Sequence, residues 1–121
     1  RLLSRGLGDV YKRQEMNIVK GSFEGTYASY YSTGQLYQEQ EYKNDERQGE
    51  VKTYYIDGTI KKRENYIDGY LNGKVIEYHK NGKPKKETDY VYNVKHGKVV
   101  EYNEDGSKKR EQEFFNDTEV L

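Results

Sequence analysis

Residues 49–66 read GEVKTYYIDGTIKKRENY, two short runs rich in Tyr, Val and Ile flanking Asp57-Gly58. β-Branched and aromatic residues favour extended backbone, and Asp-Gly supplies the positive φ that a tight reversal demands, so this stretch predicts a β-hairpin. The hairpin recurs. Gly25, Gly49, Gly73 and Gly97 are spaced by 24 residues without an insertion, and three further series keep step: Gly34, Gly58, Gly82 and Gly106; Tyr30, Tyr54, Tyr78 and Tyr102; Tyr42, Tyr66, Tyr90 and Phe114. The turns equivalent to Asp57-Gly58 are Thr33-Gly34, Asn81-Gly82 and Asp105-Gly106.

Four units follow, 25–48, 49–72, 73–96 and 97–120. Connectors such as IDGYLNG and YNVKHG are too short for the crossover that a parallel strand needs, so successive strands must run antiparallel. The expected fold is all-β: an open, single-layer antiparallel meander of four stacked 24-residue β-hairpin repeats, with no helix in the array.

Two hairpin registers are compatible with these turns, and they predict different faces. A two-residue loop puts Val51, Val75 and Val99 on one face with Ile60, Tyr55 and Tyr66, leaving Tyr54 and Tyr78 on the other with Lys61 and Lys85. A three-residue loop closed by a bulge at Gly sets Tyr54 across from Ile60. It gathers Tyr30, Tyr54, Tyr78 and Tyr102 with Leu36, Tyr42, Tyr66, Tyr90 and Phe114. The second is preferred, because it forms both unbroken aromatic series into a structural ladder whose neighbouring rings would each add roughly 0.2 to 1 kcal/mol.

Composition agrees with a core built on aromatics. Of 121 residues 35% are charged and 32% hydrophobic, a balance that would read as disordered but for 14 Tyr and 12 Gly against one Pro. Twenty-one basic side chains offset 21 acidic ones, so net charge gives no argument for nucleic acid or another strongly charged partner. Zero Cys excludes disulfides, thiolate metal sites and a cysteine nucleophile, and no apolar run approaches the roughly 18 residues of a membrane-spanning helix.

Residues 1–15, RLLSRGLGDVYKRQE, share none of the repeat positions and read as a non-native or disordered leader, similar to translated sequencing-adaptor read-through, with Met16 as the natural start. Residues 16–24, MNIVKGSFE, could add a partial N-terminal cap strand. With no secretion signal visible the cytoplasm is favoured, and export stays open because the natural N-terminus could be missing from the sequence.

No catalytic constellation is present. His79 and His96 occupy unrelated repeat slots, carboxylate pairs such as Glu111 and Glu113 are what such a charged chain produces by chance, and no phosphate-binding, zinc-protease or serine-hydrolase motif occurs. Asn116-Asp117-Thr118 matches a glycosylation acceptor and is read as a turn. The expectation is a non-enzymatic chain with no cofactor, no metal and no small-molecule substrate.

One charged feature repeats: Lys61-Lys62-Arg63, Lys83 with Lys85 and Lys86, and Lys108-Lys109-Arg110. Stacking aligns these into a basic stripe able to attract phosphate groups, although Glu64, Glu87 and Glu111 beside them can neutralise much of it. Tyr37, Tyr70 and Tyr92 lie off the aromatic ladder. Together with Lys61, Lys85 and Lys109 they are the candidate partner-contacting residues. A single-layer sheet also leaves a face that a partner or a second copy of the chain would cover.

The units GKVIEYHKNGKPKKETDY and GKVVEYNEDGSKKREQEF resemble the bacterial variant of the MORN repeat, over about 100 residues and through a repeated Gly-x-Val-x-x-Tyr-x-x-(Asn/Asp)-Gly core. The resemblance implies a hairpin array without catalytic residues. Many bacterial members carry the label of an antitoxin in a toxin-antitoxin pair, and relatives with the commoner repeat act as scaffolds and are linked to phospholipids. Two departures stand out: Gly69 is replaced by Asp45, Asn93 and Asp117 in the other connectors, and the last unit ends in DTEVL. Choline- or sugar-binding hairpin repeats are a rival resemblance that zero Trp counts against. The functional expectation is a protein-binding scaffold, an antitoxin being one case. The alternative is attachment to an acidic membrane surface.

Overall fold

The structure, a computed structural model, describes residues 2–3, 10–12, 17–19 and 21–121, with side chains from 21 onward. Among the described residues there are fourteen strands and no helix. In chain order they are β1 (Leu2–Leu3), β2 (Val10–Lys12), β3 (Asn17–Val19), β4 (Ser22–Tyr31), β5 (Leu36–Lys43), β6 (Glu46–Arg47) and β7 (Gly49–Tyr54). There follow β8 (Ile60–Ile67), β9 (Tyr70–Leu71), β10 (Gly73–Tyr78), β11 (Pro84–Val91), β12 (Val94–Tyr102), β13 (Lys108–Phe115) and β14 (Thr118–Val120). The main path is an open sheet of antiparallel neighbours in the order β1-β2-β4-β5-β7-β8-β10-β11-β12-β13-β14, while the short β3, β6 and β9 pair alongside β4, β5 and β8. The expected open antiparallel hairpin array is therefore the fold.

The reading of residues 1–15 falls mostly outside the described residues; within them, β2 pairs with Ser29–Tyr31 of β4 and β1 pairs with β2. β3, in the stretch expected to cap the array, pairs with Ser22, Phe23 and Glu24.

Each hairpin tip is a three-residue loop. In the second unit the Gly58 N–H donates to the Tyr55 carbonyl at 2.9 Å and the Tyr55 N–H to the Thr59 carbonyl at 2.8 Å, with Gly58 at φ 91°. This is the bulge-closed turn that needs Gly at its third position. Asp57 completes it by accepting from the Thr59 N–H at 2.9 Å and the Thr59 hydroxyl at 2.6 Å, and these bonds hold its carboxyl below the ordinary value.

The face assignment needs a correction. Tyr54 does pair with Ile60, but the register then shifts, so that Thr53 pairs with Lys62, Val51 with Glu64 and Gly49 with Tyr66. The same shift stands before Tyr30, Tyr78 and Tyr102. A second bulge opposite each invariant Tyr thus cancels the first, and strand alternation puts the two aromatic series on opposite faces. The front face carries Val51, Val75, Val99, Tyr42, Tyr66, Tyr90 and Phe114; the back face carries Tyr54, Tyr78 and Tyr102.

Nor do the rings within either aromatic series stack on one another from unit to unit. Residues one repeat apart lie two strands apart, roughly 9.6 Å, with a strand between them. The intervening strand supplies the contact: Tyr42 pairs with Arg47, Tyr66 with Leu71 and Tyr90 with Lys95. The Arg47 guanidinium carbon lies 5.2 Å from the Tyr66 ring centre, and Lys95 Nζ 5.0 Å from that of Phe114. Arg47 also donates to the Tyr66 hydroxyl at 3.2 Å. Burial, aided by Glu64, pushes the Tyr66 phenol up. The front face is cohesive because cations and Leu71 alternate with rings.

The apolar core is slight. Ala28, Val51, Val75, Val99 and Val100 are the buried hydrophobic residues, joined by Ser29, Gln40, Thr53 and Thr88. Cohesion between units therefore depends heavily on hydrogen bonds, of which two kinds recur.

At the tip end a side chain bonds to the carbonyl of the next unit's invariant Tyr: the Tyr31 hydroxyl to Tyr54 at 2.8 Å, the Tyr55 hydroxyl to Tyr78 at 2.8 Å, and His79 Nε2 to Tyr102 at 3.0 Å. A carbonyl only accepts, so His79 carries its proton on Nε2. The slot is thus a conserved contact filled by two chemistries. Replacing His79 by Phe is expected to cost about 1 kcal/mol in urea unfolding, whereas His79→Tyr should keep most of it.

At the other end the connectors are themselves tight hairpins. Asn44-Asp45, Asp68-Gly69, Tyr92-Asn93 and Asn116-Asp117 all have positive φ at both positions, the mirror-image turn that Asn, Asp and Gly accept best. Asp117 shows why the connector departs from Gly: its N–H donates to the Lys95 carbonyl at 2.9 Å and its carboxylate accepts from the Lys95 N–H at 2.8 Å. Asn93 does the same with Leu71, at 2.7 Å for both bonds, and Asp45 with Phe23 at 3.2 and 2.7 Å. Gly69 makes only the backbone half, to Arg47 at 2.9 Å. The glycine is the departure. Gly69→Asn should add the missing half and raise stability by about 0.5 to 1 kcal/mol, read as a higher urea midpoint at unchanged slope. The added Cβ would meet Glu46 Oε2 at 3.1 Å, the end of a flexible side chain.

Candidate functional site

The eight ladder residues whose places are now fixed are all half-buried and divide between the faces. Tyr30, Tyr54, Tyr78 and Tyr102 sit at the tip end opposite Leu36, Ile60, Pro84 and Lys108. Tyr42, Tyr66, Tyr90 and Phe114 sit at the connector end opposite Gly25, Gly49, Gly73 and Gly97. The turn residues Gly34, Gly58, Gly82 and Gly106 all have positive φ, between 90° and 102°.

The candidate contact residues fall into three places. Tyr37 is half-buried with its ring edge-on to Tyr31, centres 5.3 Å apart, and belongs to the first hairpin's own packing. Tyr70 and Tyr92 come together: their rings meet edge-on at 5.9 Å, and they remain 50% and 56% exposed. Lys61, Lys85 and Lys109 are exposed at the tip end, and among the described residues none of them forms an ion pair. Lys61 Nζ lies 5.7 Å from the centre of the Tyr55 ring, which Lys80 approaches at 5.5 Å.

The Tyr70–Tyr92 pair belongs to a larger apolar surface that the sequence reading missed. Ile67 pairs with Tyr70, Val91 with Val94 and Phe115 with Thr118 across the connector turns. Alternation from Tyr66, Tyr90 and Phe114 places Ile67, Val91 and Phe115 on the back face. Val91 and Phe115 are 45% and 59% exposed, and the Phe115 ring packs on His96 at 5.0 Å. The signal was available in the sequence: Ile67, Val91 and Phe115 stand at one repeat position, where the first unit has Lys43.

The basic stripe is divided between faces and largely balanced. On the front face, Lys62 pairs with Glu77, Glu77 with Lys86, Lys86 with Glu101 and Glu101 with Arg110, a row of alternating charge across five strands. Arg110 Nε is 3.0 Å from Glu101. On the other side Arg63 lies 3.4 Å from Glu50, and Lys108 Nζ 2.6 Å from Glu111. Among the described residues no three His, Cys, Asp or Glu side chains are grouped so as to hold a metal, and no helix is long and apolar enough to cross a membrane.

Repeated hairpins, with the recurring Gly and aromatic residues at the same places in each, and an uncovered sheet surface point to a repeat scaffold. The chain belongs to the MORN repeat variant family, whose model matches four times, at residues 23–44, 47–68, 71–92 and 95–116. Each match runs from the residue gripped by the following connector turn to the first residue of that turn. Neither the curated proteins nor the solved structures gave a match. The family is a non-catalytic repeat type, commonly involved in protein or membrane interactions.

Proposed function

We propose that the chain is a scaffold that binds another protein through the back face of its sheet. The observation that supports this reading is the exposed patch of Tyr70, Val91, Tyr92 and Phe115 beside half-buried Ile67, Val94 and His96. Aromatic side chains lose little rotamer entropy on docking and combine apolar area with a polar tip, which makes such a patch suited to protein contact. A narrower form of the proposal is an antitoxin-like role, in which this surface occludes a toxin encoded beside it.

The test is salt-tolerant capture by the immobilised chain. One defined protein should be retained at about 0.1 M and about 1 M NaCl, because apolar contact survives screening. The double substitution Tyr92→Ser and Phe115→Ser should lose it without loss of fold.

The second reading is supported by a different observation, the three exposed lysines Lys61, Lys85 and Lys109, which form no ion pair among the described residues. Binding to phosphatidylserine vesicles that vanishes at high salt, and on changing these three to Gln, would favour a membrane surface instead.

A further inference from the structure

The exposed apolar side chains of the back face form a strip with a period of its own. Ile67 pairs with Tyr70, Val91 with Val94 and Phe115 with Thr118, and the Tyr70 and Tyr92 rings meet at 5.9 Å, so the strip runs across the strands from β8 to β13. It belongs to the interior of the array: Val91, 45% exposed, stands on β11, which has β10 on one side and β12 on the other. Along the strands the strip is short. Two residues nearer the tips the same face carries Asn65, Lys74 opposite Asp89, and Lys98 opposite Glu113.

A partner that follows the strip must therefore lie across the strands and meet one connector per unit, at intervals of roughly 9.6 Å. An α-helix presents the same side every seven residues, roughly 10.5 Å, with an intermediate residue three or four positions on to fall over Tyr70 or Val94. An extended segment repeats a face every roughly 6.8 Å and loses step within one unit. The period selects a helix.

The border of the strip selects its charge. The two cations there are engaged by acids of the sheet: Lys74 Nζ lies 3.0 Å from Asp89 and 3.8 Å from Glu87, and Lys98 Nζ 3.5 Å from Glu111. Glu113 and, at the turn edge, Asp68 and Asp117 are exposed and form no ion pair among the described residues. Carboxylates thus border the strip on both long sides, and lysine or arginine flanking a helix's apolar seam would complement them.

We propose that the back face docks a basic amphipathic helix of another protein, laid across the second to fourth units with its apolar seam on Ile67, Tyr70, Val91, Val94 and Phe115. The site is that of the scaffold reading and depends on it; the shape and charge of the partner are what is added.

The probe is a blocked peptide of about three heptads with leucine at a and d and lysine at e and g, titrated into the isotopically labelled full chain and followed by backbone amide NMR and circular dichroism. Amide shifts should concentrate on residues 67–72, 91–96 and 113–118, and helicity should rise on binding. A peptide of the same composition with leucine and lysine in strict alternation should bind about tenfold more weakly. The Tyr92→Ser, Phe115→Ser variant should lose a similar factor toward the helical peptide. Asp68→Asn with Glu113→Gln should weaken binding about fivefold at about 0.05 M NaCl and change it little at about 1 M. Equal binding of the alternating peptide, shifts that map to the front face, or no binding at millimolar peptide would overturn the helix. So would sedimentation showing that the chain pairs with itself and that the Tyr92→Ser, Phe115→Ser variant separates the copies, because a second copy would then hold the face. If that variant loses salt-tolerant capture of a protein while the helical peptide fails to bind the parent, the scaffold reading stands and the helix falls. If the peptide binds as stated and no protein is captured, the helix site stands and the capture result fails on its own.

Discussion

Replacing Gly97 by valine is expected to lower the stability of the C-terminal unit by about 3 kcal/mol and to uncouple it from the rest of the array. Gly97 has φ 116°, beyond the left-handed region that any L-residue adopts readily, and such strain costs about 1 to 3 kcal/mol alone. A Cβ there would also lie 2.9 Å from Asp89 Oδ2 and 3.1 Å from Asp89 Cβ. That carboxylate is engaged, accepting from the Lys98 N–H at 3.2 Å and from Lys74 Nζ at 3.0 Å, so moving it breaks bonds on both strands. Gly73 is the control. Its φ is 95° but an added Cβ meets nothing within 4 Å, so Gly73→Val should carry the strain without the clash. In an array where each unit touches mainly its neighbours, damage remains local. Hydrogen exchange should show early loss of protection in β12 and β13 of the Gly97 variant, with β7 and β8 little changed; a uniform loss would contradict this picture.

The other large effect is expected at Val75→Asp, about 4 kcal/mol. Val75 is 6% exposed and faces Thr88, which is 4% exposed and offers a single hydroxyl. Two residues along the same strand face stands Glu77, so the new carboxylate would be buried beside a like charge. Both effects raise its folded-state pKa above the unfolded value. The sign follows: the folded form binds the proton more tightly, so the loss is fully present at neutral pH and shrinks as pH falls through the raised pKa. Val75→Asn has no such titration. Its urea midpoint should fall by less at pH 7 and show little of the acid recovery. Equal losses for Asp and Asn at neutral pH would mean that shape, not charge, governs the site.

The architecture was legible because its signals are punctuation. Gly34, Gly58, Gly82 and Gly106 occupy positive-φ turns that few other residues tolerate, and their spacing declares the repeat without any contact being known. The second bulge was not legible. It falls opposite Tyr54, among Ile60, Lys61 and Lys62, none of which is a residue that a bulge requires. One unmarked shift exchanges the faces of the two aromatic series. The same omission hid the patch at Ile67, Val91 and Phe115, and the charge row in which Lys62 meets Glu77, because both depend on register across strands. The connector turns were misread for a different cause. Gly69 looked like the norm from which Asp45, Asn93 and Asp117 depart, whereas their side chains grip the preceding unit.

Those grips and the tip-end bonds span 22 and 23 residues, so each reaches one module away and no farther. A chain held together in this way has no privileged length. Excising residues 49–72, or doubling them, leaves every surviving module with a neighbour of the kind it already had. Tandem duplication can therefore lengthen or shorten the platform in whole steps, and the spacing between two things bound on it becomes a quantity that copying errors can tune while the fold is left intact.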